Sequence, residues 1–169
     1  EILVEMAREY SQSVKSTIEK QLENEPLNPL VRHILFTRIF YTIILGDEQS
    51  RSLYKEIFEE RLIEAQEHDL CGRDLTEIIR CFDIDISESV FKRLIMAEYG
   101  ARRELLSARF DKLDPVQGKD FINFLATISV RLAGISIKTV MKNVKKANEL
   151  FDRADLSGLK LCAFVANPA

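Results

Sequence analysis

Pro29 to Gly46, PLVRHILFTRIFYTIILG, is the stretch that decides the fold. Ile34, Leu35, Ile39, Phe40, Ile43 and Ile44 fall on every side of a helix drawn through it, and a helix apolar all round is a buried, central one. A buried strand is the rival, because the run is rich in β-branched and aromatic residues, but its length favours a helix. Asn28 supplies an N-cap, Pro29 fits the first helical position, and Gly46 stops the run. The strongly apolar part, Ile34 to Leu45, covers 12 residues and is interrupted by Thr37, Arg38 and Thr42. A bilayer-spanning helix needs about 20, so no membrane span is expected.

Apolar spacing is helical on both sides of this element. Leu3, Met6, Tyr10, Val14, Ile18 and Leu22 recur every three or four residues and put one stripe along a first helix, which Pro26 and Pro29 end. After Gly46, Asp47 caps a third helix with Leu53, Tyr54, Ile57, Phe58, Leu62 and Ile63 inward, expected to run to about Gly72. Asp74 with Glu77 reads as a capping-box-like start for a short helix carrying Leu75, Ile78, Ile79 and Phe82. Ser87 caps the next, with Phe91, Leu94, Ile95 and Tyr99 inward, and Gly100 is a candidate break before Leu105, Leu106 and Phe110. Beyond the turn at Asp114-Pro115 and Gly118, one helix carries Phe121, Phe124, Leu125, Ile128 and Leu132 to Gly134. Ser136 caps the last, with Val140, Met141, Val144 and Phe151 packing inward, and Ile135 placed to staple onto Val140. The expectation is an all-α, compact single-domain bundle of seven or eight helices spanning residues 1–169. No repeat consensus supports a solenoid.

Composition narrows the class further. Of 169 residues, 46% are hydrophobic and 30% charged, as in ordinary globular domains. Three cysteines, Cys71, Cys81 and Cys162, form no close pair and point to free thiols in a reducing, intracellular compartment, cytoplasmic or nuclear. The chain opens on Glu1 rather than Met, which leaves open that it is a piece of a longer protein. Its charge is split by position. Residues 1–85 hold 18 acidic and 10 basic side chains, a net of −8, whereas residues 86–169 hold 9 and 14, a net of +5. Such asymmetry suggests charged partners, or two halves that hold each other.

A Phe-Asp-x-x-Asp pattern occurs at Phe110, Asp111, Asp114 and again at Phe151, Asp152, Asp155, with an echo at Phe82, Asp83, Asp85. Each copy is expected to close a helix, and the first two lead to a later phenylalanine, Phe124 and Phe164. This resembles the helix–loop–helix rhythm of EF-hands. The ligand positions do not follow: counting from Asp152, positions 3, 5, 6 and 12 are Ala154, Leu156, Ser157 and Ala163, with no bidentate carboxylate. Counting from Asp111 puts Leu113 and Pro115 at positions 3 and 5, and counting from Asp83 puts Leu94 at position 12. The resemblance implies at most a light-chain-like or sensor-like domain whose loops do not bind calcium.

The last helix presents Lys138, Lys142, Lys145 and Lys146 at i, i+4, i+7 and i+8, one face of a helical period, and Arg102, Arg103 and Arg109 would enlarge the patch if the fold brought them near. A basic amphipathic helix meets nucleic acid, an anionic membrane or an acidic protein surface; otherwise the lysines solvate an outer face. No helix-turn-helix, RNA-binding or zinc signature accompanies the patch, and the overall charge is acidic. His68, Cys71 and Cys81 lack the paired spacing of a zinc site, with Cys71 and Cys81 expected on different helices, and no orienting residue nominates a thiol nucleophile. His33 reads as a core or boundary histidine. Of the paired carboxylates, only Glu64 and Glu67 share a helical face, and no Glu-x-x-His motif accompanies them. Phosphate loops, GxSxG and HExxH are missing. The reading is therefore a non-enzymatic protein–protein interaction or scaffolding domain, with no cofactor or metal. Its candidate contact residues are Lys138, Lys142, Lys145, Lys146, Arg102 and Arg103. Alternatives are the EF-hand-derived domain and a helical nucleic-acid-binding or viral-type accessory domain. Oligomeric state is not legible.

Overall fold

The computed structural model describes residues 2–111 and 118–161. Among them are eight helices and no strand: α1 (Ile2–Gln21), α2 (Pro29–Gly46), α3 (Glu48–Glu59), α4 (Glu64–Cys81), α5 (Glu88–Phe110), α6 (Lys119–Leu125), α7 (Ile128–Leu132) and α8 (Ile137–Phe151). The protein is an all-α bundle built around α2, which packs against α1, α3, α4, α6 and α8. Eleven of its 18 residues are buried, on every face, as its all-round apolar sequence demands. By length and composition alone α2 is also apolar enough to cross a membrane; in this fold the other helices cover it.

Four of the local signals for helix starts hold, and the one at Asp74 does not. Side chains of Asn28, Asp47, Ser87 and Ser136 accept from the backbone N–H groups of Val31, Ser50, Val90 and Thr139, satisfying donors a helix N-terminus leaves orphaned. Asn28 also donates to Asn143 Oδ1 at 2.8 Å, so one residue both starts α2 and ties it to α8. Arg38, buried on α2, adds a second tie. It donates to Asn123 of α6 and Asn148 of α8, and its guanidinium lies 4.3 Å from the Phe151 ring centroid. Burial lowers the Arg38 pKa, opposed by the negative charges of Asp152 and Asp120.

Helix ends differ from expectation in three places, each for a local reason. The break expected near Gly72 lies earlier, at residues 60–63, and α4 runs straight through Gly72, so Cys71 and Cys81 share one helix and Asp74 is mid-helix. Arg61 takes the left-handed conformation (φ 54°), with Arg61 N–H bonded to Phe58 O and Leu62 N–H to Ile57 O. That is a Schellman ending without glycine. Asp83 (φ 51°) closes α4 the same way, with Ile84 N–H on Ile79 O, and Gly134 (φ 85°) closes α7. The single helix expected before Gly134 is two, α6 and α7. The Thr127 hydroxyl donates back to the carbonyls of Asn123 and Phe124, a competitor for helical bonding that bends the chain. Gly100 does not break α5, which continues from Glu88 to Phe110.

Beyond α8, residues 152–161 fold back on α1. Gln21 donates to Asp155 O at 2.7 Å and accepts from Asp155 N–H at 2.8 Å, while Leu159 and Leu161 are buried in the core.

Candidate functional site

On α8, Val140, Val144, Ala147 and Leu150 face the core, which leaves the opposite arc to solvent. At 100° per residue that arc runs Ile137, the half-buried Asn148, Met141, Lys145, Lys138, Glu149, Lys142. Met141 is not inward as its spacing suggested: it is 51% exposed, and Ile137 57%. Lys138, Lys142 and Lys145 are exposed and take part in no ion pair among the described residues. Lys146 belongs to a different structure. It donates to Glu25 Oε2 at 3.3 Å, and Arg153 donates to Glu25 Oε1 at 3.0 Å. These two cations hold the Glu25 carboxyl below the usual carboxylate range, the Arg153 bond first and the Lys146 bond second. This clamp joins the acidic half of the chain to the basic half.

Arg102 and Arg103 do not reach the lysine face. Arg102 is turned inward on α5, where its Nε donates to Glu98 Oε1 at 2.7 Å and its second nitrogen meets the same oxygen. Glu98 is 2% exposed, the most buried charge among the described residues, and its other oxygen accepts from the Cys71 thiol at 3.3 Å. Burial opposes the Arg102 charge, yet Glu98, Tyr41 and the neighbouring Cys71 hold its pKa above the ordinary value. Burial, then Glu98, pushes the Cys71 thiol up, so it remains a protonated donor rather than a thiolate nucleophile. Arg103 is half-buried with its guanidinium 5.8 Å from the Phe58 ring centroid, and Arg109 sits 5.6 Å from that of Phe121.

The Glu98–Arg102–Cys71 network forms one end of a cavity of about 340 Å³ between α1 and α4, floored by α2. Phe36, Phe40 and Tyr41 supply the floor, and Tyr41 lies beside the network, its ring 6.0 Å from the Arg102 guanidinium. At the other end His33 Nδ1 lies 2.8 Å from Asp74 Oδ2. His33 and Tyr41 lie about 12 Å apart along α2, while Cys71 and Asp74 are one turn apart on α4, which brings the two polar groups together on that wall. His33 Nε2 is buried and has no hydrogen-bond partner among the described residues, a state that costs about 1–3 kcal/mol. Sequence reading missed this cavity because its polar groups come from four helices and no motif links them. Glu98 alone carried a local sign: it lies one residue before Tyr99 and three after Ile95, on the inward stripe of α5.

The remaining candidates resolve differently. His68, Cys71 and Cys81 all lie on α4, but ten residues separate the cysteines, about 15 Å of helix, too far for one ion. Among the described residues no three His, Cys, Asp or Glu side chains converge as a metal site would require. Phe110 and Phe151 are the last residues of α5 and α8, with Asp111 and Asp152 as C-caps, while Phe82 is itself the C-cap of α4. The loop around Asp114 and the positions Ala163 and Phe164 lie outside the described residues. Around Asp83 the backbone serves capping: Asp83 ends α4 and Ser87 starts α5. The chain matches no protein-family model, no curated protein and no solved structure.

Proposed function

We propose that this bundle works by binding an acidic, amphipathic segment of another protein along the outer arc of α8. The observation that carries this reading is the exposure of Ile137 and Met141 beside Lys145, Lys138 and Lys142, three cations with no internal ion pair among the described residues. A merely solvated face needs no large apolar side chains. A partner helix with apolar and acidic residues side by side would cover the first pair and pair with the lysines, and charges placed this way set encounter rate and register more than raw affinity. Glu149 lies within the arc and favours a partner with a cation or a gap at that position. Arg102 and Arg103, turned inside, do not extend the α8 face into a basic track for a phosphate backbone, and the apolar pair Ile137 and Met141 favours protein over nucleic acid.

The test is photo-crosslinking from a benzoylphenylalanine placed at Ile137, with mass-spectrometric identification of the linked segments. The reading expects segments that are net acidic and amphipathic, captured less at high salt. Capture should fall roughly fivefold or more in the Lys138→Glu, Lys142→Glu, Lys145→Glu variant. Linked segments without acidic bias, equal capture by the variant, or capture of nucleic acid in place of protein overturns it. Lys146→Gln is the control: it disturbs the Glu25 clamp and leaves capture unchanged.

A further inference from the structure

We infer that the cavity between α1 and α4 is a binding site for a small organic anion, a carboxylate, sulfonate or phosphate head on an aromatic or branched apolar body. The argument is independent of the α8 face. Three features carry it.

The first is shape. The cavity holds about 340 Å³, within the range of roughly 300–1,000 Å³ typical of small-molecule sites. Phe36, Phe40 and Tyr41 provide an aromatic floor, with Leu70 from α4 and Ala7 from α1 on the walls. Such a surface takes a flat or branched apolar body rather than a hydrated ion.

The second is charge. Of the acidic side chains on the wall, Glu98 is neutralised by Arg102 and Asp74 is engaged by His33. Of the basic ones, Arg8 is engaged by Glu5. That leaves Lys15 and Arg73 on the wall beside two carboxylates, Asp69 and the His33-bonded Asp74. Lys15 lies with its ammonium 5.7 Å from the Phe36 ring centroid and makes no ion pair among the described residues. Arg73, on the opposite wall, bonds the Asp69 carbonyl at 3.4 Å and makes no ion pair among the described residues. Two cations from two different helices, neither in an ion pair among the described residues, thus flank the aromatic floor, where they can meet an anionic head whose body lies on the rings.

The third is the polar ends. Neither the Glu98–Arg102–Cys71 network nor the His33–Asp74 pair is surrounded by solvent, and both are fixed by their own hydrogen bonds. They are preorganised walls that need no reordering when a ligand enters. His33, 7% exposed, is held in place by Asp74.

The experiment compares two dyes of one shape and different charge: the anionic 1-anilinonaphthalene-8-sulfonate and the uncharged N-phenyl-1-naphthylamine, each titrated against the folded protein by fluorescence. The inference expects saturable one-to-one binding of the anionic dye. Lys15→Gln with Arg73→Gln should weaken that dye roughly five- to tenfold and leave the neutral one within about twofold, as the loss of two partly exposed charge contacts implies. Ser11→Phe, which puts a ring into the cavity from α1, should abolish saturable binding of both while the helical circular dichroism is retained. If that variant does not fold, intermolecular proton contacts between the anionic dye and the Phe36 and Tyr41 rings of the wild-type protein take its place. No saturable binding, binding unaffected by Ser11→Phe, no dye contacts to those rings, or equal weakening of both dyes by the double charge removal each overturns the inference.

Discussion

Glu98→Gln is the sharpest probe of how this bundle is held together, because it changes one charge and almost no volume at its most buried ionic site. In the native protein the Glu98 carboxylate, 2% exposed, receives two nitrogens of Arg102 and the Cys71 thiol. The glutamine keeps one acceptor but turns an NH₂ group toward donors, and it leaves the Arg102 guanidinium without a counter-charge. Breaking one partner of a buried ion pair costs about 3–5 kcal/mol. The Arg102 side chain is 14% exposed and gains some relief from water, so the lower end applies, about 3 kcal/mol. For a domain of this size each kcal/mol moves the melting temperature by about 2–4 °C, giving a drop of roughly 6–12 °C. The assay is thermal unfolding followed by circular dichroism at neutral pH, with urea unfolding as the cross-check. The companion variant Glu98→Leu with Arg102→Met removes both charges at once. Apolar replacement of a whole buried pair is commonly neutral or stabilising, so this double should melt above either single change. A Glu98→Gln melt within about 2 °C of the native protein, or a double variant that loses the sum of the two singles, would refute the reasoning.

Phe40→Ala should cost about 3–5 kcal/mol in urea unfolding, since Phe40 touches the rings of Tyr10, Phe36, Tyr41 and Tyr54 at the centre of the core. An unchanged midpoint would remove α2 from that centre. Gly72→Ala and Gly100→Ala each sit mid-helix with no atom within 4 Å of an added methyl group, and should stabilise by about 0.5–1 kcal/mol. Gly134→Ala, at φ 85°, should destabilise in the same thermal assay, and the opposite signs are the check. The Glu25 clamp makes a pH prediction: its folded pKa lies below the unfolded value, so its contribution is present above the ordinary glutamate range and is lost as pH falls through the folded pKa. The difference in melting temperature between native protein and Glu25→Gln should therefore be largest near neutral pH and vanish in acid; a difference that grows in acid contradicts the clamp.

Much of the architecture is legible in the chain because it depends on near neighbours. A helix start needs a side-chain acceptor within three residues, so Asn28, Asp47, Ser87 and Ser136 announce themselves, and each caps as its position implies. A central helix needs apolar residues on every face, and Pro29–Gly46 has them. The alternation on α8 is just as local: its burying stripe follows from Val140, Val144, Ala147 and Leu150. Helix ends are less legible where the left-handed residue is not glycine. Arg61 and Asp83 hold that conformation because Schellman bonds and packing of the next segment, with Ile63 buried, repay the strain, and nothing in the residue type signals it.

What tertiary structure alone decided is which charges are spent inside. Lys146 and Lys142 look alike in sequence, four residues apart on one helix, yet Lys146 meets Glu25 across 121 positions of chain and Lys142 meets no ion-pair partner among the described residues. Arg102 and the α8 lysines both count toward a basic half, yet Arg102 is consumed by Glu98. The cavity is likewise invisible in sequence, because His33, Cys71, Asp74 and Glu98 come from three helices that touch only once α2 has gathered them. The physical reason is one of range. Helical periodicity and capping act within a turn or two of the backbone, whereas desolvation, ion pairing and the shape of a void depend on what the folded chain brings alongside.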